Sequence, residues 1–343
     1  MLKDALNQVV AGENLSRQEA RQAMTVIMSG NASEAQIGAL LTALRMKGET
    51  SDEIAGFAET MRSYTVKVDC NNKGVIDTCG TGGDCKGTFN VSTTVAFVVA
   101  GAGVSVAKHG NHGISSSCGS ADVLRALGVS LELPTQAVAG AIDELKVAFL
   151  YAPSFHPAMK YAGKPRRELG FRTVFNVLGP LTNPVGADYQ LLGVYSRELT
   201  AKLAEVLLRL GVRRAMVVHG LDGLDEISTA APTQVSELID GEIRTYLLEP
   251  GHYGLNSSGI EDYQGGTPQN NAATLLAVLQ GKKDAKRDIV LINAAAALMV
   301  AGKVETIAEG LVVAAASIDS GAALAKLEAL KDYSQRYKGE SVS

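Results

Sequence analysis

Residues 75–84, Val-Ile-Asp-Thr-Cys-Gly-Thr-Gly-Gly-Asp, decide how the rest of the chain is read. A short apolar run ends in three glycines and an acid, the pattern of a buried strand entering a tight turn. Glycines there let backbone N–H groups approach a phosphate closely, and a nest of such donors between strand and helix is a ready anion site. The spacing is neither GxGxxG nor GxxxxGK: Cys85 stands at the last glycine of the first, and no Gly-Lys-Ser/Thr follows. Dinucleotide-binding and P-loop readings therefore fail. Taken alone, the glycines suit a simple turn as well, so the flanking sequence has to discriminate.

Upstream, three helix starts recur: Ser16 with Glu19, Ser33 with Gln36, and Thr50 with Glu53. Ile37, Leu40, Leu41 and Leu44 form one apolar stripe at helical spacing, and Ile54, Phe57, Ala58 and Met61 form another. Residues 1–70 read as a small all-helical N-terminal domain. So small a domain has few ways to bury both stripes alone, which predicts that part of its surface faces a partner. After the polar break Asp69–Gly74 the pattern changes to alternating short apolar and longer helical runs. Strands are expected at Val75–Thr78, Val104–Ala107, Val147–Tyr151, Leu191–Tyr195 and Ala215–His219. Helices are expected near Ser92–Ala102, Ser120–Leu127, Thr135–Leu145 and Leu199–Leu210, and everything from Thr267-Pro268 onward reads as helical. Residues 71–343 thus form a larger α/β domain with a mostly parallel central sheet.

Composition narrows the function classes. The 343 residues carry 32 Lys plus Arg against 36 Asp plus Glu, a net charge of −4, so no global basic field exists to hold nucleic acid or an anionic membrane. The uncharged stretch Thr88–Ala107 is long enough to span a bilayer, yet Asn90, Ser92, Thr93, Thr94, Gly101, Gly103 and Ser105 make it a poor lipid helix. Cys70, Cys79, Cys85 and Cys118 show no CxxC spacing, which favours reduced thiols and a cytoplasmic location over a disulfide scaffold or zinc site.

Four further groups carry chemistry. Asn90-Val91-Ser92-Thr93-Thr94 places an amide and three hydroxyls where a helix should begin, more than an ordinary N-cap needs and well suited to pyrophosphate and Mg²⁺. Lys108-His109-Gly110-Asn111 is expected at the carboxyl edge of the sheet, followed by Ser115–Ser120 as a second loop around the same phosphates. Asp225-Glu226, in a Gly-bearing loop after a strand, offers Mg²⁺ ligands or else a solvated acidic turn. Arg166-Arg167, near His156-Pro157, are either surface charges or a partner for a carboxylate, which a guanidinium grips with two parallel bonds.

The ordered set GTGGD, NVST, KHGN, GSADVL, FNVLGPLTNP, DE and GGTPQNNA resembles anthranilate phosphoribosyltransferases from residue 1 to about 335. The resemblance implies an α/β domain like that of class II nucleoside phosphorylases, a helical domain that recruits residues 161–184 and mediates a homodimer, and a site at the hinge. It implies transfer from phosphoribosyl pyrophosphate to anthranilate with two Mg²⁺ ions. Matched residue by residue, Gly80, Gly83, Asp84, Thr88, Asn90, Val91, Ser92, Thr93, Lys108, Ser116 and Ser120 would hold phosphoribosyl pyrophosphate. Ser92, Asp225 and Glu226 would hold metal. Gly80, His109, Asn111, His156, Arg166 and Pro180 would form the anthranilate site, with no general base among them. Two departures stand out: His112 occupies a place where many members carry Arg, and Ser117 one where many carry Lys. A pyrimidine nucleoside phosphorylase is the nearest rival, but it would lack the KHGN anchor and the Asp225-Glu226 pair. A nucleic-acid-binding relative that had lost its catalytic motifs fits neither the intact motifs nor the charge.

Overall fold

All three helix-start pairs close into capping boxes. Ser16, Ser33 and Thr50 each accept from the backbone N–H three residues on, while Glu19, Gln36 and Glu53 reach back to the cap's own N–H. In the computed structural model, which describes residues 2–113, 118–255 and 259–339, these boxes start α2 (Arg17–Met28), α3 (Glu34–Lys47) and α4 (Ser51–Ser63). They follow α1 (Leu2–Val10). Both stripes are at most 4% exposed, and burial of each large apolar side chain contributes on the order of 1.5–3 kcal/mol. This corrects the argument for a partner: the chain's own core consumes both stripes. Gly56 sets how closely α4 crosses α2, because a Cβ there would stand 2.4 Å from the carbonyl oxygen of Arg17.

Beyond residue 70 strands and helices alternate. The chain runs through β1 (Ile76–Gly80), α5 (Val91–Gly101), β2 (Val106–Gly110), α6 (Ser120–Ala126), α7 (Thr135–Leu145) and β3 (Val147–Tyr151). Next come α8 (Ala152–Phe155), α9 (Lys160–Leu169), α10 (Phe175–Leu178), β4 (Tyr189–Gly193), α11 (Leu199–Arg209) and β5 (Arg214–Gly220). An edge hairpin of β6 (Thr233–Ile239) and β7 (Glu242–Leu248) precedes α12 (Pro268–Leu279), α13 (Ala285–Val300), α14 (Ile307–Asp319) and α15 (Ala322–Gln335). Among the described residues the strands form one sheet in the order β3-β2-β1-β4-β5-β6-β7, parallel from β3 to β5 and antiparallel after it.

Strand order reverses between β1 and β4, and crevices outside such a switch point are where open α/β sheets bind ligands. The GTGGD loop leaves β1 at that place. Three strand expectations need correction. β2 runs two to three residues later than Val104–Ala107, so Lys108 and His109 lie inside it; β4 ends before Tyr195; and the hairpin β6–β7 was not anticipated.

Two apolar clusters cover the two faces of the sheet. One packs α5 against β1, β2 and β3 and α13 against α5, β4 and β5; the other joins α1–α4, Ala162, Val174–Leu181 and α11 to Cys79, Leu192, Val194, Ala215 and Val217. The helical module and the segment around α9 and α10 therefore share one core with the sheet. No single helix among the described residues is long and apolar enough to cross a membrane, and Thr88–Ala107 is divided between α5 and β2.

Candidate active site

β1 ends at Gly80, and Gly82 and Gly83 follow with φ of +61° and +81°, conformations that glycine adopts without strain. The Gly82 N–H donates to Asp225 Oδ2 at 2.9 Å, and the Thr81 N–H donates to the Gly193 carbonyl at 2.9 Å. A Cβ at Gly80 would stand 2.8 Å from Asp225 Oδ2, and one at Gly193 only 1.6 Å from the Asp225 carbonyl oxygen. Both glycines let the acidic loop lie directly on the strand ends. Gly193 escaped the sequence reading, although a glycine closing the apolar run Leu191-Leu192 marks a close backbone approach. Arg172 escaped it too: its guanidinium donates to the Gly83 carbonyl and stacks 4.4 Å over the Tyr195 ring.

At the start of α5, Asn90 occupies the cap position yet makes no side-chain cap bond. The side chains of Val91 and Thr93 are buried, so only their backbone can serve a ligand. Ser92 is held from two sides, its hydroxyl accepting from Lys108 Nζ at 3.1 Å and its N–H donating to Glu226. Lys108 also donates to the Thr78 carbonyl. Burial pushes its ammonium down from the ordinary lysine value, against the attraction of Asp77, Glu226 and Asp225. Asp77, which the sequence reading left in the strand, is fully buried and is pushed up to about 6 by that burial. It accepts from the His109 N–H at 3.2 Å and from Asn183 Nδ2 at 2.9 Å, which ties the Gly179–Pro184 segment to β1 and β2.

The carboxylates converge. Burial, and then the nearby Asp84, pushes Asp225 up to about 7; burial, and then Asp225, pushes Glu226 well above the carboxylate range. Asp84 Oδ2 is buried with no hydrogen-bond partner. Such crowded, desolvated acids call for a proton or a cation between them. Among the described residues no three His, Cys, Asp or Glu side chains form a complete metal cage. Mg²⁺ needs none, since it characteristically takes one or two carboxylates and fills its octahedron with waters and substrate phosphates.

On the other side of β2 lies a second, differently charged region. His109 and His156 meet Nε2 to Nε2 at 3.1 Å, and Thr65 Oγ1 lies 3.0 Å from His156 Nδ1. Burial lowers His109 to about 3 and His156 to about 4, so both imidazoles are neutral at pH 7. Pro180 presents its carbonyl to Gln190 Nε2 at 2.7 Å, and Asn111 Oδ1 accepts from the His112 N–H at 2.8 Å. Arg166, half-buried on α9, lies 5.0 Å over the Phe175 ring with no acidic partner among the described residues. Burial pushes its guanidinium down, while Arg167 beside it is exposed.

Thr88 bridges to Gln264, and Ser120 opens α6 with its hydroxyl directed to the Asn111 carbonyl at 3.4 Å. Ser116 and Ser117 lie outside the described residues. His112 does not replace the missing Arg as a free charge: Nδ1 pairs with Asp122 Oδ1 at 2.5 Å and Nε2 with the Tyr151 hydroxyl at 2.7 Å. Asp122 Oδ2 also accepts from the Gly113 and Gly119 N–H groups at 2.9 and 2.8 Å, pinning both ends of that loop to α6.

Comparison with known proteins shows which family the chain is similar to. Residues 3–65 match the glycosyl transferase family helical bundle domain, and residues 72–324 match the glycosyl transferase family a/b domain. The chain is 56% identical over 330 residues to an anthranilate phosphoribosyltransferase of Moorella thermoacetica, covering 96% of this chain and 97% of that one. Its fold superposes on the anthranilate phosphoribosyltransferase of Thermus thermophilus with a TM-score of 0.92 at 43% identity, covering 97% of this chain and 99% of the other. The Saccharomyces cerevisiae enzyme, solved in complex with PRPP and Mg, gives a TM-score of 0.90 at 31% identity and 98% coverage of both chains.

Proposed function

Because this chain belongs to the anthranilate phosphoribosyltransferase family, we propose that its two facing regions bind the two substrates of that reaction, each by its own charge. The enzyme transfers the 5-phosphoribosyl group of phosphoribosyl pyrophosphate to the amine of anthranilate, a step of tryptophan biosynthesis. The amine nitrogen bonds to the anomeric carbon, the bond from that carbon to the pyrophosphate oxygen breaks, and the amine loses a proton. N-(5-Phosphoribosyl)anthranilate and pyrophosphate result.

The observation that carries the reading is the meeting of Asp84, Asp225 and Glu226 with Lys108 and the uncapped start of α5 at one sheet edge. Gly80, Gly83, Asp84, Thr88, Asn90, Ser92 and Lys108, with the backbone of Val91 and Thr93, would surround phosphoribosyl pyrophosphate; Ser120 lies one loop away. Ser92, Asp225 and Glu226 would hold Mg²⁺, two ions in this reading, which when bound would supply charge neutralisation at the leaving pyrophosphate. Arg166 and Asn111 would hold the anthranilate carboxylate, and the neutral His109–His156 pair with Pro180 would line its approach. No residue here needs to abstract a proton before attack, so catalysis rests on positioning and on charge neutralisation.

Residues 1–70 with about 161–184 form the helical domain in this reading, and 71–343 the rest. A homodimer through that helical domain belongs to it as well, supported by Met46, which stands 83% exposed at the end of α3. Sedimentation equilibrium at micromolar concentration is expected to give twice the 35.8 kDa of one chain; a monomer would remove the dimer and leave the chemistry standing. The four free cysteines suit a cytoplasmic enzyme. The central claim is tested by anthranilate fluorescence, expected to disappear when enzyme, Mg²⁺ and phosphoribosyl pyrophosphate are combined. Fluorescence that persists at every enzyme concentration sinks it.

A further inference from the structure

The motif Gly265-Gly266-Thr267-Pro268-Gln269-Asn270-Asn271-Ala272 has no role in the reading above. It lies along the outer side of the phosphate loop. Thr88 and Gln264 form an antiparallel bridge, the Gly265 N–H donates to the Gly87 carbonyl at 2.8 Å, and the Phe89 N–H donates to the Tyr263 carbonyl at 2.9 Å. A Cβ at Gly265 would stand 2.8 Å from the Thr88 carbonyl oxygen, so glycine permits the contact. Thr267 then caps α12 by accepting from the Asn270 N–H, and Pro268 takes the first helical position.

That start places Asn271, 2% exposed, against the start of α5. Asn271 Oδ1 accepts from the Gly266 N–H at 2.8 Å, and its Nδ2 donates to Asn90 Oδ1 at 2.9 Å. Asn90 Nδ2 in turn donates to the Cys118 carbonyl at 3.2 Å. An asparagine at a cap position ordinarily folds its side-chain oxygen onto the N–H two or three residues on. At Asn90 that oxygen accepts instead from Asn271 and, at 3.5 Å, from the Cys118 thiol, and α5 starts without a side-chain cap.

We propose that Asn271 is a positioning residue for phosphoribosyl pyrophosphate: by holding the Asn90 amide oxygen it keeps the first turn of α5 uncapped for the pyrophosphate. The inference rests on the substrate assignment above and adds a residue that touches neither substrate. Its physical content is competition, since a side-chain cap takes one of the few free N–H groups that a bound anion would use.

Asn271→Asp isolates the effect, because the carboxylate still accepts from Gly266 but donates nothing to Asn90. The KM for phosphoribosyl pyrophosphate should rise about fivefold, the equilibrium weight of one N-cap bond, while the KM for anthranilate at saturating co-substrate stays put. In an Asn90→Ala background, which has no side chain to fold back, the same substitution should change nothing further. An unchanged KM, or an equal rise in both backgrounds, overturns the proposal and leaves Asn271 a support for Gly266. Should Asn271→Asp not fold, Asn271→Ala in the two backgrounds gives the same comparison, because the cycle cancels the lost Gly266 bond. Product formation by the unaltered enzyme separates the two levels: with no product the substrate assignment falls, whereas product with no cycle coupling removes only Asn271.

Discussion

Asp225→Asn combined with Glu226→Gln is expected to lower turnover about a hundredfold or more while leaving the melting temperature unchanged or higher. The activity loss follows from the several kcal/mol of charge stabilisation that a metal ion supplies, each 1.36 kcal/mol being a factor of ten. The stability result follows from electrostatics. Asp225 and Glu226 are buried against each other and against Asp84, whose Oδ2 has no hydrogen-bond partner, so neutral amides of the same shape relieve repulsion and desolvation in the metal-free fold. Thermal melting without substrate and turnover titrated with Mg²⁺ check the two halves. A melting temperature that falls in step with turnover would show that the pair holds the loop together and does not serve metal.

Arg166→Ala should raise the KM for anthranilate roughly tenfold or more and leave the KM for phosphoribosyl pyrophosphate nearly where it was, in line with the ~1.5–3 kcal/mol of a hydrogen bond to a charged group. Arg166 is a half-buried guanidinium without a carboxylate among the described residues, lying over Phe175 and lowered by burial. Such a group is poised to accept an anion. Arg167→Ala is the control: its side chain is exposed on the same helix, so an equal effect would reduce Arg166 to general surface charge. A parallel rise in both KM values would place Arg166 in domain closure or folding.

Local signals survive into the structure where one element's chemistry is self-contained. The three capping boxes formed as read, and Thr135–Leu145 and Val147–Tyr151 were legible to the residue, since side chains a few positions apart specify them. What failed depended on distant partners. Lys108 and His109 look like loop residues until Thr78, Ser92 and Asp77, contributed by other elements, satisfy them inside β2. The hairpin had a signal that went unread: Asp240-Gly241, both with positive φ, form the turn between β6 and β7. Much of the candidate site could be proposed from loop glycines, hydroxyls and acids. Arg172 and Asn271 could not, because each matters only through a backbone or side chain far along the chain, whereas the signal at Gly193 was local and went unread.

The reversal of strand order at β1 also fixes when, during synthesis, a working site can exist. Ile76 pairs with Val106 on one side and with Tyr189 on the other, so β1 gains its first neighbour long before its second has been made. Until β4 emerges, the edge of β1 beside the GTGGD loop stays bare, a parallel edge of buried-type residues of the kind that mispairs between unfinished chains. Asp225, which clasps Gly82, comes later still. The nascent chain therefore carries its phosphate loop from residue 84 until residue 225 without the acidic loop that clasps it, and the bare edge is covered by β4 before that clasp can form.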